Sequence, residues 1–270
     1  IYLKVSKLYK DVWVSEHAPH NTSKLTEEEC NALFKQGGWA IRETFDFDTQ
    51  SETSFYAVIK DQFGDMDELS KKVRTKVRKA LKTYEIRKAT LDEMLRYGAD
   101  IYYNAFAKYK VKSVPVSKES LEARFRMVAE NEDYEAWIMF RIEDNAPVAW
   151  SITHIFENMC EYETVKIDSQ FLDSTYPSYG LFFTMNQHYL AERNLSYVNA
   201  GWRSVTQHSN IQSFLIEQFN FRKAFCRMNM RYKFPLNVAV SLLFPLRKIL
   251  PNSKIKTMLL QEAFSRGFDC

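Results

Sequence analysis

Leu69, Val73, Val77 and Leu81 recur every fourth residue in a run otherwise dominated by lysine and arginine. That period predicts a helix with one apolar stripe, and Asp65 with Glu68 offers it a capping box, so a helix is expected over residues 65–83. Earlier, the first 38 residues are weakly patterned. Thr26 with Glu29 caps a short helix that Gly37 and Gly38 stop. Two extended runs follow, over residues 39–47 and 55–60, split by the polar turn DTQSET.

From Tyr84 the order of elements becomes informative. YEIRKA reads as a strand, Thr90 with Glu93 caps a helix to about residue 109, and Ser117 opens another to about residue 131. Three extended runs, YEAWIMFRIED, APVAWSITHIF and CEYETVKIDS, are separated only by short turns at Asp144-Asn145 and Glu157-Asn158, which predicts an antiparallel meander. A helix over residues 176–193, the strand LSYVNAGW, the helix NIQSFLIEQF and a last strand FRKAFCRMNMRYK complete the pattern. Strand, helix and parallel strand in succession imply a crossover, so the fold class is α/β (α+β) with a mixed sheet flanked by helices.

Composition adds limits. The 270 residues, 46% of them hydrophobic, are enough for a substantial core. Thirty-seven basic residues against 34 acidic ones give a net charge of +3, too balanced to point to nucleic acid by itself. Cys30, Cys160, Cys226 and Cys270 show no C-x-x-C pair and no histidines at ligand spacing, which argues for free thiols in a reducing compartment and against a zinc site. No signal-peptide pattern opens the chain and no run of about 18 apolar residues occurs, so a cytoplasmic protein without a transmembrane segment, peripheral to the membrane at most, is expected.

The element order over residues 84–233 resembles the GNAT acyltransferase fold. SNIQSFLIEQFNF is similar to that family's penultimate helix, and the glycine of SYGLFF sits where its pyrophosphate-binding loop opens a helix. Upstream, VIKDQFGDMDELSKKVRTKVRKALKTYEIRKAT resembles the FemAB branch, in which a strand precedes a basic helix ending in R-K-A. The resemblance divides the chain into an N-terminal extension over 1–83, read as a partial first GNAT-like unit, the GNAT-like domain over 84–233, and an apolar, basic tail over 234–270. It implies transfer of an acyl or aminoacyl group, from acyl-CoA or aminoacyl-tRNA as co-substrate and with no permanently bound cofactor, to an amine acceptor of the cell-envelope or surface-polysaccharide precursor class.

Carried onto this chain, the resemblance makes the backbone of Ser178, Tyr179, Gly180, Leu181 and Phe182 the candidate donor-phosphate site. The helix dipole favours an anion there, and Pro177 cannot contribute an N–H. The bland reading is a turn that Gly180 relieves. The family's amine-proton acceptor lies on the fourth strand, which offers Asp168 first and Glu163 second; either also reads as a solvated carboxylate. Simple alternation puts Glu161, Glu163, Val165 and Ile167 on one face and Tyr162, Thr164, Lys166 and Asp168 on the other. Where many of these enzymes carry a tyrosine acid, this chain has Ile216. Arg203 in the WRS loop is a candidate for an acceptor phosphate or carboxylate, or an ordinary surface arginine. His154 and His208 have no identifiable nucleophile partner.

The basic helix has two readings as well. Lys71, Lys72, Arg74, Lys76, Arg78, Lys79 and Lys82 form either a solvated face or a phosphate-contacting one for the acceptor or tRNA, with Lys76 and Arg78 as the substrate-binding candidates. The tail, broken by Pro235, Pro245 and Pro251, is too interrupted to span a bilayer; it either packs on the body or lies at a membrane surface. Against the enzyme stands a second reading, a non-catalytic GNAT-fold binding or scaffold protein, which the glycine-poor loop and the missing tyrosine favour.

Overall fold

The computed structural model describes residues 7–9, 11–21, 24–108, 114–172, 175–204, 210–250 and 254–268; His208 and Cys270 lie outside them. Along the chain run β1 (Lys7–Tyr9), β2 (Val12–Val14), α1 (Glu27–Gln36), β3 (Ala40–Phe45), β4 (Phe55–Lys60), α2 (Lys71–Thr83), β5 (Tyr84–Lys88), α3 (Leu91–Phe106) and α4 (Lys118–Glu130). The meander β6 (Tyr134–Arg141), β7 (Ala146–Phe156) and β8 (Met159–Ile167) follows, then α5 (Pro177–Asn186), β9 (Tyr197–Trp202), α6 (Ile211–Phe219), β10 (Arg222–Tyr232), α7 (Leu236–Leu243) and α8 (Lys254–Ser265).

Where the structure departs from the sequence pattern, the cause is tertiary. The Asp65–Glu68 segment is a short 3₁₀ turn and not the start of α2. Glu68 spends its carboxylate on the buried Lys60 ammonium, 2.8 Å away, so the expected capping box does not form and the Ser70 hydroxyl caps α2 instead. Leu81 is also displaced: strict four-residue spacing overshoots the helical repeat and carries it roughly 120° from Leu69, so Ala80 is buried in its place and Leu81 is exposed. The helix expected over 176–193 is α5 followed by a π-helical turn, Gln187–Glu192.

The chain divides into two compact units. One comprises residues 1–58, 202–207 and 223–270. In it β2 runs parallel to β3, and β10 pairs antiparallel with β3 over Arg227–Tyr232. Trp13, Leu25, Cys30, Leu33 and Ile41 pack together under α1, while Phe55, Cys226, Met228, Met230 and Phe264 form a second cluster. Buried Glu43 binds the charge into this unit. It accepts from the Leu25 N–H, Asn229 Nδ2 and Arg231 Nε, each at 2.8 Å.

The other unit comprises residues 59–201 and 208–222, with the strand order β9-β8-β7-β6-β5. The strands β5 to β8 are antiparallel in succession, whereas β8 and β9 are parallel. Helices α3 and α4 cover one face, burying Met94, Ile101, Tyr102, Leu121 and Phe125 on Trp150 and Ile152. Their approach is close at Gly98, where an added Cβ would lie 2.6 Å from the Phe125 ring. Helix α5, backed by α2, lies against β5.

Thr90 and Glu93 form the expected capping box at α3, and the Arg87 guanidinium adds a two-pronged bridge to Glu93 at 2.6 and 3.0 Å. That bridge, opposed by partial burial and helped by the Thr90 N–H, holds the Glu93 carboxyl down at about 2. A depressed carboxyl stabilises the fold above its unfolded pKa and loses that contribution as pH falls through the folded value. Glu93→Gln is therefore expected to cost about 1 kcal/mol at neutral pH, allowing for the exposure of Arg87. Paired thermal melts should show the difference fading between the ordinary carboxylate range, about 4, and about 2. A difference constant with pH would contradict the assignment.

Candidate active site

The parallel pair β8 and β9 is joined only over Met159–Glu161 and Tyr197–Asn199. Beyond Glu161 the strands part, and β8 continues to Ile167 with no partner strand on that side among the described residues. The result is a V whose mouth faces the carboxyl ends of both strands, at the point where α5 begins. Backbone N–H and C=O groups on an unpartnered strand edge can pair with an extended, amide-bearing chain.

A bulge sits at the divergence. Ile152 pairs with Thr164 and His154 with Glu161, so Tyr162 and Glu163 together oppose Thr153. Two residues against one reverse the alternation, and this corrects the expected faces of β8. Tyr162 turns toward α5, where its ring meets Phe182 and its hydroxyl donates to Asn186 Oδ1 at 2.7 Å. Glu163 turns the other way and is ion-paired with Arg124 of α4. Lys166 and Asp168 also meet α3, through the Tyr102 ring and Asn104. Asp168 therefore stands with Glu163 and not with Tyr162.

Asp168 is buried, and both its oxygens are occupied. Asn104 Nδ2 donates to one at 2.6 Å and the Gln170 N–H to the other at 2.9 Å. Asp168→Ala leaves those two donors unpaired and is expected to cost about 1–3 kcal/mol, seen as a fall in melting temperature. A melt identical to wild type would mean that the buried contacts contribute nothing.

At the mouth of the V, the proline of α5 follows Tyr176, which adopts the left-handed region (φ 59°, ψ 46°) unusual for a bulky residue. Its carbonyl accepts the N–H of Tyr179 at 3.0 Å and of Gly180 at 3.4 Å. Since Pro177 has no N–H, Ser178 is the first-turn donor not committed to that carbonyl. Gly180 has a packing role here. An added Cβ would lie 2.9 Å from Ile86 Cδ1 and 3.0 Å from Ala80 Cβ, so the glycine allows α5 to sit down on α2 and β5. Leu181 and Phe182 are buried behind it.

Lys76 reaches this mouth from α2. Its ammonium donates to the Tyr179 hydroxyl at 2.9 Å and stands 4.6 and 5.3 Å from the Tyr179 and Tyr176 ring centroids. Lys79 lies 5.7 Å over the Tyr176 ring. The Tyr179 hydroxyl also donates to Gln218 Oε1 of α6 at 3.2 Å, and Phe214 packs edge-on to the same ring. The structure thus brings Lys76, Tyr179 and Gly180 together with α6. Arg78 is not part of this group: two residues on, it is exposed and roughly 200° around the helix from Lys76. Arg203 belongs to the first unit, where its guanidinium donates to the Ser54 carbonyl at 2.6 Å and lies over the Phe264 ring.

One polar cluster has no signature in the sequence. Tyr189, in the π-helical turn, is buried with its hydroxyl bonded to Trp137 Nε1 (2.7 Å), Thr153 (2.6 Å) and Glu135 (2.7 Å). Glu135 is also paired with Lys88 and Arg193. It borders a cleft of about 480 Å³ at the opposite end of the strands from the V. Burial pushes the Cys160 thiol far up and that of Cys226 up to about 12, so neither supplies a thiolate nucleophile near neutral pH.

No family model and no curated protein matches the sequence. Solved structures do match the fold. The crystal structure of FemX is similar over 73% of this chain and 74% of its own, with a TM-score of 0.53 and 11% identity. The structure of L-PGS from Bacillus licheniformis is similar over 88% of this chain and 82% of its own, with a TM-score of 0.52 and 13% identity. The chain therefore shares its fold with these two structures, a GNAT-like mixed α/β sheet flanked by helices.

Proposed function

We propose that the chain transfers an acyl or aminoacyl group from a phosphate-bearing donor, an acyl-CoA or an aminoacyl-tRNA, to an amine acceptor of the cell-envelope or surface-polysaccharide precursor class. The observation that carries the reading is the V between β8 and β9, with its unpartnered strand edge. An extended donor arm lies along β8 beyond Glu161, and its phosphates rest at the mouth near Lys76, Lys79 and the Ser178 N–H. The acceptor nitrogen attacks the carbonyl carbon, a C–N bond forms, and the C–S or C–O bond to the donor breaks. The amine proton leaves to solvent and the thiol or ribose hydroxyl departs protonated. Backbone N–H groups of β8 face the developing oxyanion, and positioning supplies most of the rate. Both donors are made in the cytoplasm, where the reaction is proposed to occur.

Asp168 and Glu163 are the acidic candidates of β8, and the bulge directs both toward α3 and α4. Glu163→Gln is accordingly expected to keep donor-dependent transfer within about threefold of wild type, well short of the effect of removing a general base. A loss of a hundredfold or more would return Glu163 to the proton-transfer role. The fully engaged Asp168 carboxylate favours a second reading, a binding module without catalysis. Thermal shift against coenzyme A, acetyl-CoA and aminoacylated tRNA, followed by mass spectrometry of a model amine, separates the two. Stabilisation by a donor at saturating concentration, together with an acylated amine, supports transfer; stabilisation without product supports the module; no shift with any donor contradicts both.

A further inference from the structure

Helix α7 has more apolar surface than its own packing uses. Its inner side, with Val240 and Phe244 just beyond, is buried against Leu259 and Ala263 of α8. On the outer side, Phe234, Val238, Leu242, Leu246 and Ile249 are exposed, from 44% for Leu246 to 78% for Ile249. Val238 and Leu242, four residues apart, share one side of α7, while Phe234 precedes the helix, Leu246 ends the 3₁₀ turn after it and Ile249 follows that turn. Of the eight residues of α7, only Asn237 and Ser241 are polar. Both are exposed, next to Val238 and Leu242, and each is bonded to the helix's own backbone: the Asn237 side-chain oxygen accepts the Val238 N–H at 2.8 Å, and the Ser241 hydroxyl donates to the Asn237 carbonyl at 3.0 Å. A short helix that buries one apolar side and still exposes large apolar side chains on the other, with its two polar side chains bonded to its own backbone, leaves an apolar patch that water does not favour.

Charge decides what it faces. Between Lys233 and Gln261 the sequence holds five cations, Lys233, Arg247, Lys248, Lys254 and Lys256, and no acid. Lys248 is exposed beside Ile249. A second protein with an apolar face would not require this one-sided charge; an anionic surface with an apolar layer beneath it does. At eight residues α7 is far shorter than the roughly 20 needed to cross a bilayer, and no helix among the described residues is long and apolar enough to do so.

We propose that α7 and the turn after it lie in the interface of an anionic phospholipid bilayer, with Phe234, Val238, Leu242, Leu246 and Ile249 among the upper acyl chains and Lys248 among the headgroup phosphates. The inference rests on the tail alone and not on the transfer reading. The test is flotation with vesicles of phosphatidylcholine alone and of phosphatidylcholine mixed with phosphatidylglycerol. Wild-type protein should float with the mixed vesicles and much less with the neutral ones, and added salt should weaken binding. The double variant Leu242→Glu, Ile249→Glu changes only exposed positions and should keep its melting temperature, yet lose roughly tenfold or more in partitioning. Lys248→Gln should weaken binding to the mixed vesicles while leaving neutral binding unchanged. Wild-type protein that stays in solution with both compositions overturns the proposal, as does a double variant that floats like wild type. So does a dimer in gel filtration that the double variant dissolves while neither protein binds vesicles, because the occupant would then be a second copy.

Discussion

Gly180→Val is expected to lower the melting temperature by about 5 °C or more, since overpacking of this kind costs about 1–3 kcal/mol and each kcal/mol moves a domain of this size by several degrees. The cause is local: the new Cβ would meet Ile86 Cδ1 at 2.9 Å and Ala80 Cβ at 3.0 Å, and the valine methyls would press further into the α2–α5 contact. Ile86 ends in a flexible methyl that can turn aside. Ala80 cannot, because its Cβ is fixed to the helix backbone. Gly180→Ala should therefore be much milder, with the helix propensity gained, about 1 kcal/mol, offsetting part of the clash. Differential scanning calorimetry of the two variants checks this. A valine variant that melts with wild type would show that the glycine has no packing role and would restore the phosphate cradle as its reason for being there.

The second large effect concerns Lys76. Lys76→Gln should weaken binding of a phosphate-bearing donor roughly tenfold, the scale of a hydrogen bond to a charged group, while Arg78→Gln should leave coenzyme A binding within about twofold. The contrast follows from placement. Lys76 stands among Tyr176, Tyr179 and the start of α5, whereas Arg78 faces solvent on another side of α2. Isothermal titration with coenzyme A and filter binding with tRNA distinguish the donors. If tRNA is the donor, both substitutions should weaken binding and flatten its salt dependence, because a polyanion spans the whole basic face. Equal affinities for Lys76→Gln and wild type toward every donor would remove Lys76 from the site.

Much of the second unit was legible because its signals are local. Thr90 and Ser117 announce their helices by caps, as Thr26 does in the first unit, and the short turns at Asp144-Asn145 and Glu157-Asn158 leave the meander little choice. The parallel pairing of β8 with β9 follows from the crossover between them. The bulge was not legible, because alternation along β8 reads the same with or without an extra residue, and only its register against β7 reveals Tyr162 and Glu163 opposite Thr153. That one residue changed which face the candidate acids occupy. Gly180 was legible as special but not as to why: a glycine that admits a phosphate and a glycine that admits Ala80 are the same letter. The failed capping box at Asp65 and Glu68 has the same character, since Lys60, whose buried ammonium diverts Glu68, lies outside the turn at the end of β4. The pairing of β10 with β3 joins segments almost two hundred residues apart, and nothing in either segment names its partner.

The claim on which the functional reading stands is that a donor arm occupies the V between β8 and β9. Amide hydrogen exchange, read residue by residue with and without saturating coenzyme A, acetyl-CoA or aminoacylated tRNA, addresses it directly. Protection is predicted over residues 162–167 of β8, at Ala200 and Gly201 of β9, and at Ser178, with residues 88–91 and 130–136 around the opposite cleft unchanged. Protection confined to that opposite cleft, or no protection with any of the three donors, would contradict the account.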